Sequence, residues 1–277
     1  MPNPTPRRTA LINVMAKAAF KAARSLVHDF GEIEQLQVSR KGPGDFVSQA
    51  DLRAEKLIRE ELAKARPDFG FLLEEGGAIS GDGEHVWLVD PLDGTNNFLH
   101  GLPHFSISIG LKQGEDVVAG VVYDPLRDEL FWAERGVGAY VADRRALDRR
   151  LRVGGRRQLA DAMLATGLAP ARAFDPGHRA AFMAEFEAMT AASSGVRRWG
   201  SAALDLAYVA AGRFDGFWEN GLAPWDMAAG IVLIREAGGT VSDITGAATP
   251  LSGQGVIAAN PTLHTAMVKT LRGLRKR

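Results

Sequence analysis

Two aspartates, Asp90 and Asp93, stand where the apolar run Trp87-Leu-Val89 meets the turn residues Pro91 and Gly94. Thr95, Asn96 and Asn97 follow at once, and Thr and Asn are residue types that open helices. The run reads as a short buried strand that Pro91 and Gly94 end abruptly, with both carboxylates at its carboxyl end. A helix starting at Thr95 or Asn96 then points backbone N–H groups at the spot those carboxylates face. Carboxylates on one side and helix-end donors on the other are what a metal-bound phosphate needs. Phosphate-ester chemistry is therefore the expectation. Taken alone, Asp-Pro and Asp-Gly are ordinary turn formers, and a single Asp is an ordinary helix cap.

Further acids change that balance. Phe69-Gly-Phe-Leu-Leu73 is a second short apolar run and ends in Glu74-Glu75. Pro224-Trp225-Asp226 precedes a helical pattern from Met227 to Ala237, closed by Gly238-Gly239, so Asp226 lies at or just inside a helix N-terminus. Three acidic places, each at an end of an apolar run, are harder to assign to turns and caps than one.

Competing chemistries find no support. The chain has no cysteine, which excludes thiolate nucleophiles, Cys-based zinc sites and disulfides. His100 and His104 have zincin-like spacing, but Gly101 and Pro103 between them forbid a regular helix. A G-x-S-x-G elbow is missing. Lys41-Gly-Pro-Gly44 matches neither a Walker A loop nor a dinucleotide fingerprint, and reads as a mobile loop beside the site with no role assigned to Lys41.

The elements that must position these residues divide into two layered halves, 1–150 and 151–277, without a true linker. Apolar positions recur at helical spacing from Thr9 to about Phe30 and from Ser48 to about Arg66, with Asp51 in the first turn of the second helix. From Phe105 to Val141 four strand-like runs separated by short turns predict an antiparallel sheet. After Arg152 the pattern alternates. Strands at Ala162–Thr166 and Phe214–Trp218 and helices at His178–Ala191, Ser201–Ala211, Asp226–Ala237 and Pro261–Arg272 predict a mixed or parallel sheet. The Arg-rich stretch Arg144 to Arg157 reads as an exposed connection, and the basic tip Arg272 to Arg277 as a solvated tail. With 277 residues and 46% apolar content the chain can bury a sizeable core. Lys+Arg and Asp+Glu balance at 33 each, so nothing marks a nucleic-acid or membrane binder. No apolar run approaches the ~20 residues of a membrane span, and the Pro-rich start has no signal-peptide core, which fits a cytoplasmic protein.

Leu73-Glu74-Glu75, Trp87-Leu-Val-Asp90-Pro-Leu-Asp93-Gly-Thr95-Asn-Asn-Phe98 and Pro224-Trp225-Asp226-Met-Ala-Ala-Gly230 resemble the three hallmark motifs of the inositol monophosphatase family. That family belongs to the lithium-sensitive, magnesium-dependent phosphomonoesterases. The likeness runs from about Lys41 to Asn260, with support from Asp45–Asp51, Trp199–Ala203, Phe217–Glu219 and Glu236–Asp243. It implies an α+β or α/β fold of a particular kind, the layered αβαβα sandwich, with the active site between the halves. It implies Mg2+ as cofactor: Glu74, Asp90 and the Leu92 carbonyl for one ion, and Asp90, Asp93 and Asp226 for a second. The implied catalytic set is Thr95, Asp51 and Glu74, with Thr95 and Asp51 orienting the attacking water. The Gly94 and Thr95 N–H groups would meet the phosphate and Gly200, Ser201, Ala202 and Glu219 the alcohol half of the substrate, with Asp93 also among the substrate-binding residues. A small-molecule phosphate ester and a homodimer are the implied partners. Some bacterial members also bind the transcription machinery, so a scaffold role stands as an alternative of a different class.

The substrate follows less directly. Glu219, seven residues before Asp226, together with Gly200-Ser-Ala-Ala203 and Trp225, resembles the inositol-phosphatase branch and favours a polyol monophosphate such as myo-inositol 1-phosphate. Fructose 1,6-bisphosphate, adenosine 3′,5′-bisphosphate and histidinol phosphate are the alternatives. A second phosphate would want a basic patch near Glu219, for which Arg197 and Arg198 are the nearby candidates.

Overall fold

Successive side chains of a strand point to opposite faces, and the strands here are apolar on both, so each sheet must be covered twice. The computed structural model describes residues 8–32, 38–42, 45–143, 148–168, 175–248, 251 and 255–274, as backbone alone over 38–42 and 45–47. The helices are α1 (Ala10–Phe30), α2 (Gln49–Ala65), the short α3 (Thr95–Leu99), α4 (Pro176–Ala192), α5 (Ala202–Ala210), α6 (Pro224–Glu236) and α7 (Pro261–Leu274). A two-stranded hairpin is formed by β1 (Val38–Gly42) and β2 (Asp45–Ser48). The large sheet contains β3 (Gly70–Leu73), β4 (Gly77–Ile79), β5 (His85–Asp93), β6 (Ser106–Gln113), β7 (Asp116–Asp124), β8 (Glu129–Glu134), β9 (Gly138–Ala142) and β10 (Asp148–Arg150). The smaller one contains β11 (Met163–Thr166), β12 (Gly195–Arg197), β13 (Gly216–Asn220), β14 (Thr240–Ser242) and β15 (Gly255–Ala259).

The eight strands lie in the order β10-β9-β8-β7-β6-β5-β3-β4, antiparallel except for β3 beside β5. The five lie in the order β12-β11-β13-β15-β14, parallel among the first three and antiparallel beyond. Side-chain alternation sorts the layers. On β8, Leu130 and Trp132 join a core with α1 and α2, while Phe131 and Ala133 join one with α5 and α6. On β13, Phe217 faces α5 and α6, and Trp218 faces Met189 of α4 and Leu263, Met267 and Leu271 of α7. The result is the expected αβαβα sandwich. Helix α5 lies between the two sheets and all nine of its residues are buried. Its sequence is accordingly apolar all round, with Asp205 the one charged exception.

Caps agree with the sequence. Thr9 accepts the Ile12 N–H at 3.2 Å ahead of α1, and Ser48 caps α2 in a capping box with Asp51. Several expectations need correction. Pro91 does not end its strand: β5 continues to Asp93 through a bulge, three steps from Asp90 to Asp93 against two from Ser108 to Ser106. A bulge tolerates a residue without an N–H, and that is where Pro91 sits. Helix α6 begins at Pro224, two residues early, because proline suits the first helical position. In the Arg-rich stretch, Asp148–Arg150 pairs with β9 as an edge strand instead of forming a plain connection. Arg272 is helical, and its Nε donates to the Thr245 carbonyl at 2.6 Å. The tip of the Lys41–Gly44 loop at 43–44, the Lys41 side chain, and the basic residues 275–277 lie outside the described residues. No helix among the described residues is long and apolar enough to cross a membrane.

Candidate active site

Register brings the first carboxylates together. The parallel pairing of Leu73 with Val89 carries Glu74 alongside Asp90, and the Glu74 N–H donates to the Val89 carbonyl at 3.1 Å. In a regular strand Asp90 and Asp93 would point to opposite faces. The bulge adds one residue and turns both to the same pocket. Asp90 Oδ1 accepts the Leu92 N–H at 2.9 Å, which fixes the loop through the bulge. Gly94 follows with φ 97°, a left-handed conformation that side chains rarely adopt, and a Cβ there would stand 3.1 Å from the His104 carbonyl. That turn starts α3 at Thr95.

The other contributions come from distant sequence. Asp93 accepts hydrogen bonds from the Ser201 hydroxyl, from the Ala203 N–H at 2.9 Å and from the Ala202 N–H at 3.2 Å, so the start of α5 holds its carboxylate. Asp226 sits in the first turn of α6, where its Oδ2 accepts the Ala223 N–H at 2.7 Å. Thr95 Oγ1 lies 3.2 Å from Asp51 Oδ1 and 3.0 Å from the Leu92 carbonyl. The Ser48 N–H, at 2.9 Å, and the Ser48 hydroxyl, at 2.5 Å, both donate to Asp51 Oδ2. Asp51 is thus both a helix-capping acid and the partner of Thr95.

One cavity of about 260 Å3 is lined by Glu74, Asp90, Leu92, Asp93, Gly94, Thr95, Gly200, Ser201, Ala202, Glu219 and Asp226. Of the site residues expected from the sequence, Asp51 alone stands behind this lining, against Thr95. Removal from water raises Asp90 well above the ordinary carboxylate value, and the charges of Glu74, Asp93 and Asp226 push it further. Asp226 is raised well above its usual range for the same reasons, with burial first and then Asp93 and Glu74. Burial also raises Asp93, against the pull of its hydrogen bonds to Ser201, Ala203 and Ala202. Among the described residues no three acidic or histidine side chains close into a finished cation cage. They share a pocket wall instead. Crowded hard-oxygen groups that resist ionisation together are nonetheless the donor set a divalent hard cation stabilises.

Sequence reasoning missed part of the pocket. Asp205, buried in α5, lines it, as do Gly167, Leu168 and Leu222. Gly167 has a steric reason: a Cβ there would stand 2.2 Å from Glu219 Oε2, so only glycine lets that carboxylate lie against the backbone. Asn97 is a bracket whose Nδ2 donates to the carbonyls of His104 and Trp199, each at 2.7 Å. Of the two arginines, Arg198 lines the pocket and Arg197 does not; the Arg197 guanidinium bonds its neighbour Val196 at 3.2 Å. The signal that could have found Asp205 is its place as the one charge in an otherwise apolar helix.

The "Inositol monophosphatase family" model matches residues 7–276. The inositol-1-monophosphatase of Mesorhizobium japonicum is 55% identical over 266 residues, 96% of this chain and 97% of that protein. The Nus factor SuhB of Pseudomonas aeruginosa is 42% identical over 265 residues, 95% of this chain and 96% of that one. Among solved structures, the extragenic suppressor protein suhB from Bartonella henselae superposes with a TM-score of 0.89 at 52% identity, covering 95% of this chain and 99% of that one. With the acidic pocket and this likeness together, the chain belongs to the inositol monophosphatase family and is a metal-dependent phosphatase.

Proposed function

We propose that this phosphatase hydrolyses a polyol phosphate monoester, first of all myo-inositol 1-phosphate, with Mg2+ as its metal. The observation that carries the reading is the gathering of Glu74, Asp90, Asp93 and Asp226, from three separate stretches of chain, in one pocket that Thr95 also lines. Glu74, Asp90 and the Leu92 carbonyl would hold one ion, and Asp90, Asp93 and Asp226 a second. When bound, Mg2+ supplies neutralising charge for the phosphoryl oxygens and makes water a better nucleophile near neutral pH.

The remaining work falls to the chain's own groups. The Thr95 hydroxyl donates towards Asp51, which leaves the Oγ1 lone pairs to accept a proton of the attacking water and aim it at phosphorus. The backbone N–H groups of Gly94 and Thr95 meet phosphate oxygens at the turn into α3. Ser201 and the Ala202 and Ala203 N–H groups keep Asp93 from rotating, so positioning rather than a covalent nucleophile does the catalysis. Glu219, Gly200 and Ala202 face the alcohol half. On this reading residues 1–150 carry most metal ligands, residues 151–277 carry Asp226 and the substrate wall, and the working unit is a cytoplasmic homodimer.

The test is inorganic phosphate release from myo-inositol 1-phosphate, fructose 1,6-bisphosphate, adenosine 3′,5′-bisphosphate and histidinol phosphate. Each is assayed with Mg2+, with EDTA, and with Mg2+ plus Li+. The expected result is preference for inositol phosphate, abolished by EDTA and reduced by Li+. Preference for another ester overturns the substrate; activity indifferent to EDTA overturns the metal. A second reading rests on the relatives called Nus factors, which points to a partner in the transcription machinery. A cellular phenotype lost on deletion but kept by Asp93→Asn would favour it.

A further inference from the structure

The wall that faces the alcohol half holds a second acid. Asp205 lies one helical turn beyond Ser201 on α5, and side chains at that spacing share a helix face. Asp205 lines the same cavity as Ser201, Ala202 and Glu219. It is 1% exposed, and its Oδ1 is buried with no hydrogen-bond partner among the described residues. The surroundings make this costly. An unsatisfied buried acceptor sacrifices its hydration without return, and the rest of α5 shows that an apolar residue fits between the sheets. Groups of this kind are retained where a ligand completes them.

From this geometry we infer that Asp205 is a specificity-determining residue, a second acceptor beside Glu219 for the hydroxyls of the substrate's alcohol half. The inference rests on the polyol reading and deepens it. Two acceptors on one wall recognise an alcohol with at least two free hydroxyls, such as a ring polyol. They give a simple aryl or alkyl alcohol nothing to bind. Asp93 is held by Ser201, Ala202 and Ala203, whereas among the described residues nothing donates to Asp205 Oδ1. The only arginine lining the pocket among the described residues, Arg198, donates to the Leu168 carbonyl at 3.2 Å.

The test compares myo-inositol 1-phosphate with p-nitrophenyl phosphate, whose alcohol half has no further hydroxyl. Steady-state kinetics are measured for the unaltered protein, Asp205→Leu and Asp205→Asn. Losing one hydroxyl contact should raise KM for the inositol ester about tenfold relative to KM for the aryl ester in Asp205→Leu, with the effect in KM rather than kcat. Asp205→Asn keeps one acceptor oxygen and should show a smaller selective rise. It also decides the matter if the leucine variant does not fold. Inhibition by free myo-inositol should weaken in step. Equal KM changes for both esters, or no change for either, overturn the inference and leave Asp205 a structural residue. If the unaltered protein shows no preference for the inositol ester, the polyol reading itself fails and this inference falls with it.

Discussion

Asp93 and Glu219 line one pocket, and both are buried carboxylates that removal from water pushes above their usual range. Their surroundings differ. Asp93 accepts from Ser201, Ala202 and Ala203 and is fixed by the start of a helix that lies between two sheets. Glu219 lies against the backbone at Gly167, and Asp93, Asp226 and Arg198 act on it through charge alone. Asp93, on the reaction wall of the proposed reading, has its geometry set before any ligand arrives, as catalysis by positioning would require. Glu219, on the substrate wall of that reading, keeps acceptor capacity in reserve among the described residues, as discrimination between alcohols would require.

The comparison breaks first, and most visibly, at Asp93. Asp93→Asn keeps the shape but removes a charge that the reaction wall needs, so kcat should fall about a thousandfold or more while far-UV circular dichroism stays unchanged. The Mg2+ concentration for half-maximal activity should rise as well. A loss below about tenfold would show that the wall's fixed geometry, not its charge, carries catalysis. Thr95→Ala is a finer cut. It removes the hydroxyl that Asp51 orients but no carboxylate, so kcat should drop about a hundredfold with the Mg2+ requirement held within about twofold. Comparable losses in both would place Thr95 among the groups that hold the metal.

Much of the reaction wall was legible in the sequence because its signals are local. Asp90, Asp93 and Thr95 belong to one short motif, and apolar runs mark where Glu74 and Asp226 are delivered. The bulge at Pro91 was not legible: proline reads as a strand end, and only pairing with Ser106 and Ser108 makes it a strand interior. The layers were readable from strand and helix periods, although element ends shifted by a residue or two, as at α6. The substrate wall was harder. Asp205 falls in a segment whose periodicity announces a buried helix, and nothing local says that its carboxyl reaches a pocket shared with Glu219. Gly167 needs tertiary knowledge altogether, because its reason is a carboxylate 52 residues away.

His104 packs beside Asn97, which lines the pocket: its carbonyl takes the Asn97 amide, and its ring lies against Trp199 and Tyr208. Burial, reinforced by the charge of Arg127, lowers it to about 4 from the ordinary 6.5. The folded value lies below the unfolded one, so the unfolded chain takes up the proton first. Stability from this group is whole above about pH 6.5 and is lost as pH falls from 6.5 towards 4. With a discount for its partial exposure, the loss is about 2 kcal/mol at the acid end. His104→Phe keeps a ring against Trp199 and Tyr208 and should flatten that part of the stability profile relative to the unaltered protein, measured by urea unfolding across the range. Parallel profiles would mean that this packing does not depend on a neutral imidazole.

The smallest expected effect separates the walls most sharply. Glu219→Gln exchanges one of two carboxylate oxygens for an amide donor and removes the charge at nearly constant volume, so Gly167 still fits against it. A hydroxyl that donated to the carboxylate then meets an amide, and KM for inositol phosphate should rise about tenfold. Since Glu219 holds neither the phosphate nor the attacking water on this reading, kcat should change by less than about threefold. A kcat loss approaching that of Asp93→Asn would merge the walls into one electrostatic unit. That outcome has a physical route, because the charges of Asp93 and Asp226 already bear on Glu219. A selective rise in KM would show that this coupling does not reach the reacting phosphorus, and that fixed and reserved carboxylates divide the work of the pocket between them.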